Sequence, residues 1–143
     1  MKFEDIYKLV EVDLKIDRYN LVDEATRTPQ ILAKYLEIYR NEKITLHSLN
    51  SKFARMKKDK FEYYSGKASD EDYLERPLNI KILKQDLDTY IEADEDIITL
   101  TDKINIQKEK CFFLEKVLRG IEQREFSIKN AITMIKFDAG EIG

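Results

Sequence analysis

The feature that most restricts the fold of this chain is a long stretch, from Pro29 to Ser65, without glycine or a further proline. Thr28 and Pro29 form a conventional helix start, with threonine as the N-cap and proline in the first turn, and Gly66 is a conventional stop. We therefore predict one helix of about 37 residues, roughly 55 Å long at a rise of ~1.5 Å per residue.

Apolar side chains in this stretch follow a seven-residue repeat, which Glu42 and Lys60 alone interrupt. A stripe sustained over this length favours a helical hairpin, or a seam between subunits, over a compact bundle. A second long helix is the expected partner. The repeat positions are Leu32, Tyr35, Tyr39, Leu46, Leu49, Phe53, Met56 and Tyr63.

The remaining segments also have helical periodicity. Residues 3–14 predict a short N-terminal helix, and residues 67–78 form a polar connector with a short helical turn from Ser69 or Asp70. Apolar residues then return at helical spacing as far as Ile121, and the tail from Phe126 predicts a C-terminal amphipathic helix. Residues 94–96 are all acidic, so they are either a solvated part of one long helix or a break that caps a new one. We favour the break.

These elements predict an all-α fold, a long helical hairpin with short N-terminal and C-terminal helices that assembles into a ring or barrel-like homo-oligomer. We expect one domain over residues 1–143. Within it, residues 1–66 hold the N-terminal helices and the basic segment, residues 67–78 form the connector, and residues 79–143 hold the return helices and the C-terminal oligomerisation helix.

The composition excludes several kinds of site. A single Cys and a single His permit neither an internal disulfide nor a Cys/His zinc site, and we expect Cys111 to be buried and His47 to be exposed. The N-terminus alternates charged and apolar residues, so we expect no signal peptide and a cytoplasmic protein. An Mg²⁺-dependent nuclease using Asp94 and Asp96 is the enzymatic alternative, but helical spacing spreads these carboxylates, so we predict no enzyme, metal or cofactor.

One basic segment interrupts a chain whose net charge is −3. Residues 52–67 contain six basic residues and two acidic ones, and Tyr63 and Tyr64 lie among them. Cations that follow a phosphate backbone, beside rings on which bases stack, are what sequence-independent binding of single-stranded DNA requires. The alternative is a solvated face of a coiled coil. The basic residues are Lys52, Arg55, Lys57, Lys58, Lys60 and Lys67.

Three blocks of sequence resemble the UvsY family of recombination mediators from T-even-like bacteriophages: KDKFEYYSG at 58–66, ADED at 93–96 and IEQREFSIKNAITMIKFDAG at 121–140. The resemblance implies sequence-independent binding of single-stranded DNA. It also implies that the protein helps a RecA-like phage recombinase displace the phage single-strand-binding protein and assemble presynaptic filaments. These filaments serve recombination, repair and recombination-dependent replication in the cytoplasm of the infected host. The family forms a closed, hexamer- or heptamer-sized ring to which the C-terminal helix contributes.

The family's Lys-x-Arg pair, tied to DNA binding, falls on Lys58 and Lys60, where lysine keeps the charge but loses the planar fork of arginine. A structural coiled-coil adaptor that binds only proteins is the alternative function. The predicted DNA-binding residues are Lys58, Lys60, Arg55, Lys57, Tyr63, Tyr64 and Lys67, and the predicted oligomerisation residues are Phe126, Ile128, Ile132 and Ile135.

Overall fold

The structure, a computed structural model, describes residues 1–141, and every regular element in them is helical. The predicted all-α class is therefore confirmed. The elements are α1 (Phe3–Asp13), α2 (Leu21–Tyr64), α3 (Asp70–Glu75), a single 3-10 turn (Lys84–Asp86), α4 (Leu87–Glu92) and α5 (Glu95–Asp138).

Helix α2 begins at Leu21, so the prediction that it begins at Thr28 and Pro29 is wrong. Pro29 lies inside the helix, where its missing N–H leaves a carbonyl of the preceding turn without its usual partner. Two side chains donate to the carbonyl of Glu24, which precedes the one affected by the proline. The Thr28 hydroxyl donates to the Glu24 carbonyl at 3.2 Å, and Arg124 Nη1 donates to the same carbonyl at 2.5 Å.

The other end of α2 stops where the sequence predicts. Gly66 has a φ of +80°, a left-handed conformation that glycine adopts without steric cost. Its N–H donates to the Tyr63 carbonyl at 3.3 Å, and the Lys67 N–H donates to the Glu62 carbonyl at 2.9 Å. This pair of hydrogen bonds is a Schellman motif, which turns the chain back over the end of the helix.

The predicted break in the acidic run is confirmed. Asp94 Oδ1 accepts hydrogen bonds from the N–H groups of Asp96 at 2.9 Å and Ile97 at 3.4 Å, so Asp94 caps the start of α5. The predicted turn in the connector is α3, and the Ser69 side chain caps it. The prediction of a separate C-terminal helix is wrong, because α5 continues through the tail to Asp138 as one helix of 44 residues.

The chain forms two compact units. The first contains residues 1–43 and the described residues from 109 onward, and α1 packs there against parts of α2 and α5. Glu42, which interrupts the apolar repeat, is buried in this unit, 3.4 Å from the amino group of Lys110. The core of the first unit consists of Ile6, Ile31, Tyr35, Leu114, Val117 and Ile121.

The second unit comprises residues 44–108. It contains the end of α2, the connector with α3, the short α4 and the start of α5. All of the residues predicted to bind DNA lie in this unit. Its buried apolar residues are Leu46, Leu87, Ile91, Ile97, Leu100 and Ile104.

Candidate nucleic-acid interface

Four exposed cations of the second unit cluster at the end of α2 and just beyond it. Arg55, Lys57, Lys58 and Lys67 are all exposed, as the sequence predicts. The Lys58 side chain is 76% exposed and lies 3.9 Å from Glu62, a surface pair of the kind that contributes little to stability. The ends of these side chains are therefore available to a phosphate backbone.

Lys60 does not lie on this surface. It is only 8% exposed, and its amino group donates to Asp96 Oδ2 at 2.7 Å and lies 3.3 Å from Asp94 Oδ2. The physical reason is its place in the seven-residue repeat, which turns it toward α5 instead of toward solvent. The charge of Lys60 is thus paired with carboxylates inside the second unit and does not contribute to the exposed basic surface.

The contacts around Lys60 shift the pKa values of Asp94, Asp96 and Tyr64. Burial by itself raises the pKa of Asp94, but hydrogen bonds from Tyr64 and Lys60 and the charge of Lys60 outweigh it, so this pKa is lowered. The hydrogen bond from Lys60, followed by its charge, lowers the pKa of Asp96. Burial and the 2.6 Å hydrogen bond to Asp94 raise the pKa of Tyr64, which keeps its hydroxyl a donor.

Replacing Lys60 with methionine is expected to lower the free energy of unfolding by about 2 kcal/mol at neutral pH. The loss is below the ~3–5 kcal/mol of a fully buried pair, because Asp96 is half-exposed and keeps Arg76 at 3.5 Å. Chemical denaturation measures it. Lys57→Met, at an exposed position three residues away, is the control, with an expected change within about 0.5 kcal/mol.

The free energy of unfolding of Lys60→Met should also depend on pH differently from that of the wild type. Carboxyl groups with lowered pKa values stabilise the folded state above their unfolded pKa, and this stabilisation is lost as the pH falls through the folded value. Wild-type protein should therefore lose stability below about pH 4, and Lys60→Met should lose less. A difference between the two proteins that stays constant from neutral to acidic pH would contradict the assigned pairing.

Tyr63 and Tyr64 are half-buried and already contact other tyrosines. The Tyr63 ring stacks on Tyr73 at a centroid distance of 5.5 Å, and Tyr64 meets Tyr63 edge-on at 5.0 Å. The Tyr63 hydroxyl donates to the Arg76 carbonyl at 3.0 Å, and the Tyr73 hydroxyl donates to the Tyr63 carbonyl at 2.7 Å. In this structure, both predicted stacking residues thus form packing contacts and hydrogen bonds that link the end of α2 to other segments of the second unit.

Phe61 is a candidate that the prediction of binding residues missed. Its ring is 43% exposed, and the amino group of Lys67 lies 5.9 Å from the ring centroid. Lys57 and Lys58 precede it by one helical turn. The sequence contains one signal for this placement, because Phe61 lies outside the apolar repeat whereas Tyr63 is one of its positions.

A cleft of about 650 Å³ separates the end of α2 from α3 and the residue after it. Its charged residues have both signs in equal number, so it does not offer the uniformly positive surface that a phosphate chain requires. Lys57, Lys58 and Lys67 lie outside the cleft. The charged lining residues are Lys52, Arg55, Lys60, Arg76, Asp59, Glu62, Asp72 and Glu75.

The predicted oligomerisation residues fall into two groups. Ile128 is only 2% exposed and belongs to the interior of the first unit, while Ile132 is half-buried. Phe126 and Ile135 are exposed, at 69% and 46%. The exposed residues Phe126, Met134 and Phe137 share one face of α5 by their helical spacing, and we call them the apolar face.

The other candidate sites have structural explanations. Cys111 is buried, and burial raises the pKa of its thiol, whereas His47 is exposed, as predicted for both. Within residues 1–141 no three His, Cys, Asp or Glu side chains converge as metal ligands. Asp94 and Asp96 instead face Lys60. No helix in this described part is both long and apolar enough to cross a membrane.

Comparisons with known proteins agree with one another. The family model of the recombination, repair and ssDNA-binding protein UvsY matches residues 9–141. The fold is similar to crystal structures of the bacteriophage T4 recombination mediator protein UvsY. In lattice type II the TM-score is 0.86 at 23% identity, covering 97% of this chain and 98% of that chain. In lattice type I the TM-score is 0.83 at 22% identity, covering 94% of this chain and 98% of that chain. No curated protein matches the sequence significantly.

Proposed function

Because the chain belongs to the UvsY family of recombination, repair and single-stranded-DNA-binding proteins, we propose that it is a recombination mediator that binds single-stranded DNA without sequence preference. The observation that carries the proposal is the group of exposed cations at the end of α2: Arg55, Lys57, Lys58 and Lys67. Contacts of lysine and arginine with phosphates position a nucleic acid without reading its bases. Such contacts suit a protein that must act on any sequence.

In the proposed mechanism, these cations hold an extended single strand on the protein surface. The bound geometry weakens the hold of the phage single-strand-binding protein, and a RecA-like recombinase then nucleates on the released strand to form a presynaptic filament. These filaments serve recombination, repair and recombination-dependent replication in the cytoplasm of the infected host. The acidic remainder of the chain limits indiscriminate binding to other surfaces, because the net charge is −3.

We further propose that the active species is a homo-oligomeric ring of hexamer or heptamer size. The exposed apolar face of α5 supports this, because three large apolar side chains are exposed on one side of the helix and such exposure is typical of interaction sites. Copies of the cationic surface around such a ring would convert weak contacts of each subunit into tight binding of one strand.

The test is fluorescence anisotropy of labelled single-stranded and duplex oligonucleotides over a series of salt concentrations. We expect a preference for the single strand, and an affinity that falls steeply with salt because cations release counterions from phosphates. Binding without this preference, or no binding at low salt, would reject the proposal. The exposed apolar face would then favour the second candidate, an adaptor that binds only proteins.

The double variant Lys57→Ala with Lys58→Ala is expected to weaken single-strand binding by about tenfold on every sequence. Both side chains are exposed, so the fold should be unchanged. The slope of log affinity against log salt should decrease in magnitude by about 0.7 for each lost phosphate contact. The matched control is Lys103→Ala with Lys108→Ala, two exposed lysines in the same unit that lie outside the basic segment. Equal affinity and slope for wild type and the test variant would exclude Lys57 and Lys58 as contacts.

A further inference from the structure

We propose that Phe61 is the residue on which an unstacked nucleobase stacks, so that the site binds bases as well as phosphates. The inference rests on the proposed single-strand function and adds the residue that gives it strand preference. Lysine contacts alone do not supply that preference, because duplex DNA has the higher density of phosphate charge. A base-stacking residue does, because the faces of bases are accessible only in a single strand.

The ring has the exposure and the surroundings that stacking requires. Phe61 is 43% exposed at the end of α2, within the basic segment. Lys57 and Lys58 lie one turn before it, at four and three residues. Phosphates held by these lysines would bring the attached bases within reach of the ring.

The helix stop completes the site. The left-handed Gly66 and the hydrogen bond from the Lys67 N–H to the Glu62 carbonyl fold the chain back over the last turn of α2. This places the Lys67 amino group 5.9 Å from the centroid of the Phe61 ring. A third cation thus reaches the ring from beyond the helix end, and the loop leaves part of the ring exposed.

The two tyrosines of the same segment fit this role less well. Tyr63 packs between Tyr64 and Tyr73, and Tyr64 also contacts Tyr90 at a centroid distance of 6.0 Å. Their hydroxyls are hydrogen-bonded to Arg76 and Asp94. A base that stacked on either ring would have to displace packing within the second unit, whereas Phe61 requires no such rearrangement.

The chain provides a matched control in Phe112. This phenylalanine is 59% exposed, and the Lys116 amino group lies 5.1 Å from its ring centroid. It differs from Phe61 in its surroundings, since glutamates lie three residues away on both sides, at 109 and 115. An exposed ring near lysines is thus common to both positions, since Lys108 also lies four residues before Phe112, whereas the two flanking glutamates are specific to Phe112 and the basic segment to Phe61.

The first experiment compares wild type, Phe61→Ala, Phe61→Leu and Phe112→Ala. The probes are oligothymidylate and an abasic chain of the same length, which has the same phosphates and no bases. Both Phe61 variants should bind oligothymidylate about tenfold more weakly and the abasic chain as wild type does. Phe112→Ala should match wild type on both probes. Leucine is apolar but has no ring. Weak binding of oligothymidylate by Phe61→Leu would therefore show that stacking on the ring is needed and that apolar contact alone does not suffice.

The second experiment uses Phe61→Trp, which introduces the chain's sole tryptophan. Its fluorescence should be quenched by oligothymidylate and unchanged by the abasic chain. Equal affinity of wild type and Phe61→Ala for oligothymidylate, or binding of Phe61→Trp without quenching, would overturn the inference and leave the proposed function standing. A wild type that binds neither probe would reject both. Light scattering on all variants verifies that the assembly is unchanged.

Discussion

Replacing Arg124 with methionine is expected to lower the free energy of unfolding by about 3 kcal/mol. Arg124 is 3% exposed, and its guanidinium donates to the Glu24 carboxylate, to the Glu24 carbonyl and to the Thr28 hydroxyl. Methionine fills a similar volume but leaves the buried carboxylate with the half-exposed Arg27 alone, at 3.2 Å. The estimate is at the low end for a buried pair because Arg124 Nε has no acceptor in the described residues.

The prediction has two controls. Arg119→Met removes an exposed arginine from the same helix and should change stability by no more than about 0.5 kcal/mol. Combining Arg124→Met with Glu24→Leu removes both charges and should recover much of the loss, because an apolar pair leaves no charge buried alone. Denaturant unfolding of wild type, Arg124→Met, Glu24→Leu and the double variant measures the coupling. If Arg124→Met proves as stable as Arg119→Met, the buried pair does not stabilise the fold.

Arg124 also contacts the first turns of α2 in a way that the local sequence does not show. Thr28 followed by Pro29 is a strong local signal for a helix start, and local signals are all that one segment of sequence provides. The helix nevertheless begins at Leu21, and Arg124, which is distant in the sequence, donates to the Glu24 carbonyl in the part of the helix before the proline. A long-range hydrogen bond of this kind leaves no periodic trace in the segment that it stabilises.

The apolar repeat was the more reliable guide. The stretch without glycine predicts the long helix, the repeat predicts a partner helix, and the acidic run 94–96 predicts the break that Asp94 caps. The repeat also marked Glu42 and Lys60 as interruptions. Both are buried and ion-paired in the structure, as their places in the repeat would require, whereas the prediction that Lys60 binds DNA considers only its charge.

The candidate site was predictable only in part for a related reason. A count of charges locates the basic segment but does not separate Lys58, which is exposed, from Lys60, which is buried two residues later. That difference depends on where α5 packs. Exposure likewise separates Phe61 from Tyr63 and Tyr64, and although the apolar repeat includes Tyr63, the contacts of the two tyrosine rings are known only from the structure.

The second large effect is expected from the apolar face of α5. The triple variant Phe126→Ser, Met134→Ser and Phe137→Ser should dissociate the proposed ring into smaller species and lower single-strand affinity by about 100-fold. All three residues are exposed within the subunit, so the fold should be unaffected. Ile128 is left intact because it is buried in the first unit and its loss would confuse unfolding with dissociation. Light scattering and anisotropy measure the two effects.

Ile106→Ser is the control, since Ile106 is a similarly exposed apolar residue of the same helix outside the apolar face. A triple variant that keeps the wild-type mass would exclude the apolar face as the interface. The salt dependence separates this variant from Lys57→Ala with Lys58→Ala. Both should show a shallower slope, because fewer phosphates are contacted in each complex. Only the triple variant should also have a smaller mass, since its lost contacts are those of missing subunits.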